Sequence, residues 1–135
     1  MKCDVYLTFA GNCEEAMNFY KDVLGGEFLV TMRYSDGPPE YSVEGKEDKI
    51  MHTTLAFGKD CELKASDTFH KPVIMGNAYT VSINADDELH GQKIFNGLSA
   101  QGGVIEMPFQ PVFWGGKFGN LTDQFGIQWM ISSPH

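Results

Sequence analysis

Positive charge is scarce in this chain of 135 residues: its ten Lys and Arg never gather into a run, while eighteen Asp and Glu leave a formal charge of -8. That balance repels phosphate backbones and anionic lipid, so neither nucleic acid nor a membrane surface is an expected partner. Long apolar runs are also missing. No stretch nears the ~18 apolar residues of a membrane span, and the start, MKCDVYLTFAGN, carries Asp4 and lacks the apolar core of a secretory leader. A cytoplasmic location is expected. Cysteine is limited to Cys3, Cys13 and Cys61, an odd set without C-x-x-C spacing. These read as reduced thiols, mostly small apolar fillers. Absent too, in any strand-to-helix context, are a G-x-S-x-G elbow, a phosphate loop, a dinucleotide fingerprint and a methyl-donor glycine motif.

What the chain does contain is a repeated order of elements. The length is that of one domain with one core. VYLTFA predicts a strand ending at Gly11-Asn12, where Asn12 is placed to cap a helix over 13–24 and Glu15 to complete a capping box. Ala16, Phe19, Tyr20, Val23 and Leu24 recur at helical spacing until Gly25-Gly26 stops the pattern. EFLVTMRY predicts a second strand, Ser35 to Lys49 a long loop, and IMHTTLAF with CELKAS a hairpin closed by Gly58-Lys59-Asp60. After Met75 the order returns: AYTVSIN as a strand, DDELHGQKIFNGLSAQ as a helix with Leu89, Ile94, Phe95 and Leu98 as its stripe, then strands at VIEM, around KFGNLT and at IQWMIS. Two βαβββ modules follow, roughly 1–67 and 77–133, an α+β arrangement. One such module cannot bury both faces of its sheet alone, so a concave sheet surface between paired modules is where a ligand is expected.

The segments EEAMNFYKDVLGGEF and TDQFGIQWMIS, set in paired βαβββ modules, resemble the vicinal oxygen chelate superfamily, which includes glyoxalase I and bleomycin-resistance proteins. The fuller set NCEEAMNFYKDVLGGE, KIMHTTLAFG, ELKASD and FWGGKFGNLTDQFGIQWMI resembles its PhnB-like branch, often labelled demethylubiquinone methyltransferase-like. The resemblance covers nearly the whole chain, and FWG-x-x-FG-x-LTD-x-FG-x-x-W is its most specific part. It implies tandem modules forming a curved mixed sheet around a cleft, a homodimer whose modules pair within or across chains, and a divalent metal held by His and Glu or Gln on the first, fourth, fifth and eighth strands. Aligning FYKDVLG with the family's helix pattern puts those ligand positions near Val5, Ala65, Ala78 or Tyr79, and Met130. None is a good ligand for a divalent cation. A slip of one residue offers only Asp4, Ser66, Asn77 or Trp129, on the opposite sheet face. No metal and no other cofactor is therefore expected.

Several side chains remain as site candidates. Phe113, Trp114, Phe118, Phe125 and Trp129 read first as core and hairpin clamps, and alternatively one or two of them, Trp114 foremost, wall a pocket. Asp123 to Gly126 read as the last hairpin turn. His52 alternates with Met51 and Thr53 and so shares a face with Ile50, Thr54 and Ala56, as a structural histidine or as a pocket acid/base. Asp67 either caps a turn or, on the face of Ala65 and Leu63, lies near the pocket mouth. Arg33 is either a solvated cation or a neutraliser of an anionic ligand. Gln128 and Met130 join the ligand-binding set through the closing strand. His70, His90 and His135 are expected to be exposed.

Two function classes fit these residues. One is a metal-free binder that holds a small hydrophobic or aromatic molecule by burial and stacking, as bleomycin-resistance relatives sequester drugs. The other is a lyase or isomerase of glyoxalase or dioxygenase type, with a relocated metal or with His52 as acid/base. A purely structural module is a third class that the fold alone permits. Because sheet edges of such modules need covering, a C2 homodimer of about 30 kDa is expected, twice the 15.0 kDa chain. Light scattering at micromolar concentration checks this, and a monomer would count against it.

Overall fold

The period of apolar residues changes along the chain from two to 3.6 and back, and the elements follow it. The computed structural model describes residues 1–134. His135, expected to be exposed, lies outside the described residues. Two compact units are formed, Met1–Ile74 and Met75–His135.

In the first unit, β1 (Val5–Phe9), α1 (Cys13–Leu24), β2 (Glu27–Arg33), β3 (Ile50–Phe57) and β4 (Cys61–Asp67) form a four-stranded sheet of order β1-β4-β3-β2 with one helix. β1 runs parallel to β4, and the other pairs are antiparallel. The alternation is clear in β1 and β4: Leu7, Phe9, Leu63, Ala65 and Asp67 are buried, whereas Tyr6, Thr8, Glu62, Lys64 and Ser66 turn to the other face. The buried set packs with Cys13, Ala16, Met17 and Tyr20 of α1. Each sheet therefore has a helix side and an open side, the usual outcome when one face is covered. The segment expected as plain loop contains two short 3-10 turns, Tyr34–Asp36 and Pro39–Tyr41. At Gly26, with φ of +89°, an added Cβ would lie 2.0 Å from the Ala56 carbonyl oxygen, so the chain can leave α1 and enter β2 only at a glycine.

The N-terminus of α1 differs from expectation. Asn12 occupies the cap position, but its side chain accepts no cap hydrogen bond, so the arrangement with Glu15 does not form. The cap comes instead from 54 residues away: Oδ1 of Asp67 accepts from the backbone N–H of Cys13 at 2.9 Å and of Gly11 at 2.9 Å, while Oδ2 accepts from Ile50 N–H at 3.0 Å. An ionised carboxylate suits the positive end of a helix better than a neutral amide.

The second unit repeats the plan with β5 (Val81–Asn84), α2 (Glu88–Ser99), β6 (Val104–Pro111), β7 (Lys117–Thr122) and β8 (Gln128–Ser133), in the order β5-β8-β7-β6. β5 is shorter than AYTVSIN suggested, and β6 runs on through Pro108, which is tolerated because β6 is the outer strand and its register with β7 is irregular between Met107 and Gln110. In α2 the stripe is Gly91, Ile94, Phe95 and Leu98; Leu89, expected within it, is exposed. At about 3.6 residues per turn Leu89 falls on the face opposite Leu98, and the stripe instead takes in Gly91, where the Phe109 ring would sit 2.7 Å from a Cβ. The last hairpin turn forms as expected: Gly126, at φ +91°, donates to the Asp123 carbonyl at 3.0 Å.

Because Asp67 joins β4, β3 and α1, Asp67→Asn is expected to lower unfolding free energy by about 3 kcal/mol, leaving backbone donors facing an amide that accepts through one oxygen only. Urea denaturation measures the loss. A change below about 1 kcal/mol would show that the network does not hold this unit together.

Candidate functional site

The open side of each sheet collects most of the side chains singled out in the sequence. In the first unit, cross-strand register aligns Tyr6 with Lys64, Lys64 with Thr54 and Thr54 with Val30, and in the neighbouring row Thr8 with Ser66 and His52 with Met32. His52 is thus on the open side with Thr54, as expected. Ile50 is not: a register shift between Met32 and Arg33 turns it to the helix side, where it is buried. The His52 ring stacks on Tyr6 with centroids 5.7 Å apart and planes at 24°. Its Nδ1 is hydrogen-bonded to the Tyr6 hydroxyl at 3.0 Å and its Nε2 to Thr54 Oγ1 at 3.2 Å. Tyr6 and Thr54 were not singled out from the sequence; the one available signal was the strand alternation that turns Tyr6 outward.

Asp67 lies elsewhere than expected. It is 1% exposed, on the helix side, and both carboxylate oxygens are engaged by backbone donors, so it is a structural group beneath α1 and not a residue at a pocket mouth. Arg33 is also engaged: its guanidinium donates to both Glu14 oxygens at 3.1 and 2.6 Å and to the Asp48 carbonyl at 2.7 Å. The hydrogen bond from Arg33 holds the Glu14 carboxyl below its usual range. A cavity of about 180 Å³ opens beside this pair on the helix side, lined also by Met17, Phe28 and Thr53. Of the cysteines, only Cys13 acts as an apolar filler; Cys3 and Cys61 are exposed. Burial, reinforced by Asp67 and Glu14, pushes the Cys13 thiol well above its usual range, which keeps it inert.

In the second unit the open side carries Phe118, Asn120 and Thr122 of β7 and Gln128, Met130 and Ser132 of β8, paired in register, with Met107 of β6 opposite Asn120. Phe113 and Trp114 lie in the β6–β7 turn and are 96% and 58% exposed, so neither is the core clamp that aromatic composition suggested. Trp114 touches Phe113 edge-on at 4.9 Å and Phe118 at 5.9 Å, extending the open side with an aromatic ridge. Gly116, at φ +74°, sets that turn; a Cβ there would lie 2.0 Å from the Ser133 carbonyl oxygen. Trp129 does form core, fully buried with Nε1 donating to Asp123 Oδ2 at 2.8 Å. Gln128 donates from its amide to the Tyr79 carbonyl at 2.7 Å. Asn120 Oδ1 is buried and, among the described residues, meets no hydrogen-bond donor.

The positions that the resemblance reserves for metal ligands do not fit a cation. Val5 and Ala65 lie on the helix-side rows of β1 and β4, Tyr79 precedes β5 in an exposed segment, and Met130 is on the open side of β8. A borderline or hard divalent ion needs several O, N or thiolate donors, and these side chains supply none in common. Among the described residues, no three His, Cys, Asp or Glu side chains converge at metal-binding range.

Residues 2–131 match the family model of the Glyoxalase/Bleomycin resistance protein/Dioxygenase superfamily. Among curated proteins, YjdN of Escherichia coli (strain K12) is 28% identical over 141 aligned positions, covering 98% of this chain and 95% of the relative. Among solved structures, protein PA1353 from Pseudomonas aeruginosa superposes with a TM-score of 0.85 at 32% identity, covering 98% of each chain. A PhnB protein from Bacillus cereus gives a TM-score of 0.80 at 28% identity, over 98% of this chain and 99% of that one.

From the donor set it is expected that purified protein carries no stoichiometric zinc, nickel, manganese or iron, and that chelators leave its melting temperature unchanged. Elemental analysis finding one tightly held equivalent per chain would overturn this.

Proposed function

The chain belongs to the Glyoxalase/Bleomycin resistance protein/Dioxygenase superfamily, and within it we propose that this protein binds a small hydrophobic or aromatic molecule without a metal, on the open side of its second sheet. The carrying observation is the pairing of an apolar surface with an acceptor that lacks a donor. Met107 and Met130 are the register partners of Asn120 and Phe118 precedes it by two on the same face of β7, while the buried Asn120 Oδ1 has no partner among the described residues. Buried polar atoms are hydrogen-bonded in the large majority of cases, so such an atom suits a ligand that brings an N–H or O–H. Methionine adapts to irregular ring shapes, and the Trp114 ridge offers a face for stacking.

The energetics agree with a ligand of modest size. Removing a ring from water gains roughly 25 cal/mol per Å² of apolar surface, and one satisfied hydrogen bond then selects its orientation. Gln128 supplies a further amide at the margin of the same face. In this reading His52 belongs to the first unit's polar face, and Asp67 has no part in binding.

A thermal-shift screen of a ring-containing library tests the proposal, with hits expected to raise the melting temperature in proportion to occupancy and to change Trp114 fluorescence. Trp114→Ala is expected to weaken those hits by about 1–3 kcal/mol. Since Trp114 is more exposed than buried, its loss is expected to leave the unliganded melting temperature within a few degrees of the parent. Phe118→Ala provides a second measure of the same face. A screen without saturable hits, or hits equally tight in both variants, would overturn the assignment.

A further inference from the structure

The first sheet's open side carries different chemistry, in which three side chains from two strands are joined into one hydrogen-bonded line. We propose that Tyr6, His52 and Thr54 form a proton relay that takes up the acidic hydroxyl of a phenol or enol and holds the resulting oxyanion beside Lys64. This goes beyond binding, because it assigns a proton-transfer step to a site in the first unit.

The geometry defines the route. Both imidazole nitrogens of His52 face hydroxyl groups, Nδ1 the Tyr6 hydroxyl at 3.0 Å and Nε2 Thr54 Oγ1 at 3.2 Å. A neutral imidazole has one donor and one acceptor nitrogen, and hydroxyls can play either part, so each tautomer is satisfied. With hydrogen on Nε2, that nitrogen donates to Thr54 and the Tyr6 hydroxyl donates to Nδ1. The Tyr6 oxygen then keeps lone pairs, on a side chain 49% exposed. A ligand hydroxyl can donate to that oxygen. As the ligand O–H bond breaks, its proton joins the Tyr6 oxygen and the original tyrosine proton moves to Nδ1. The products are a ligand oxyanion, a neutral tyrosine and an imidazolium, so charge and atoms balance with no further reactant. The new Tyr6 O–H donates to the oxyanion and Nδ1–H donates to the Tyr6 oxygen. Running backward, the same line returns the proton.

The surrounding charges and apolar groups fit this step. Lys64 is the register partner of both Tyr6 and Thr54 on the same face, the arrangement in which cross-strand side chains meet. Its Nζ is paired at 3.1 Å with Asp4, the residue just before the strand that carries Tyr6. The other charged groups on this face are Glu62, paired with Lys2, and Glu27 at the far end of β2. Val30 and Met32, exposed on the adjoining strand, provide apolar surface for the body of a ring.

4-Nitrophenol is a suitable probe because its phenolate absorbs visible light and its phenol does not. At a pH one unit below its free midpoint, about a tenth of the free probe is ionised. With excess protein most of the probe is expected to be ionised, and the His52 imidazole nitrogens are expected to show the NMR shifts of imidazolium. Tyr6→Phe and His52→Gln are expected to return the ionised fraction of bound probe to about the free value, and Lys64→Met to reduce it several-fold. Equilibrium dialysis measures binding separately, and the melting temperature checks the fold of each variant. The relay is overturned if dialysis finds no binding, if wild type binds the probe as phenol, or if Tyr6→Phe ionises it equally. Should a variant unfold, wild-type His52 signals with and without probe decide: imidazolium that grows with bound phenolate supports the relay, and imidazolium unchanged by the probe overturns it. Binding without ionisation would sink the relay and leave the aromatic-binding reading of the second sheet standing, since that reading depends on Trp114 and Phe118.

Discussion

A carboxylate sealed from water costs several kcal/mol unless donors surround it, and each unit is organised around one that is so surrounded. In the first, Asp67 gathers the backbone N–H groups of Gly11, Cys13 and Ile50 at 2.9–3.0 Å. One side chain thereby fixes the entry to α1, the start of β3 and the end of β4 at a single point. In the second, Asp123 gathers Phe125 N–H, Ile127 N–H and Trp129 Nε1–H at 2.8–3.0 Å, tying the last turn to the largest side chain of the core. Removing either charge would take a shared acceptor away from the donors it gathers.

These anchors commit one face of each sheet to a helix and leave the other free for chemistry. In β4 the alternation Leu63, Ala65, Asp67 is consumed by packing beneath α1, and Glu62, Lys64 and Ser66 are displayed by the same constraint. In β8, Trp129, Ile131 and Ser133 turn inward and Gln128, Met130 and Ser132 outward. The period of two means that fixing one residue fixes the orientation of all its neighbours, which is why a structural aspartate decides which side chains the open side can display.

The two open sides are chemically unequal. One has a stacked Tyr6–His52 pair with Lys64 in register, and the other has Phe118, two methionines and an aromatic turn. A duplicated backbone plan therefore carries two different sets of outward side chains, because packing constrains only the helix-side rows. Val5 and Ala65 follow the same logic: they belong to the helix-side rows, where apolar side chains stabilise the unit.

The sequence by itself determined the repeated βαβββ order, the span of α1, the hairpin turns at Gly58-Lys59-Asp60 and Asp123–Gly126, and the family, because period, glycine and turn chemistry act over a few residues. It also put His52 on the correct side of its strand. Tertiary structure decided the rest. Asn12 had the right residue type for a cap, yet a carboxylate 54 residues away took the task, since a full charge at a helix N-terminus binds more strongly than an amide oxygen. Leu89 was expected in the helical stripe but lies on the opposite face and is exposed, while Phe109 packs over Gly91. Phe113 and Trp114 had the composition of core residues and stand in a solvent-facing turn, whereas Trp129, of the same type, is buried on Asp123. Side-chain type states what a residue can do, and only strand pairing over long sequence separation places it on the helix side or the open side, because cross-strand register is set by contacts that no local window contains.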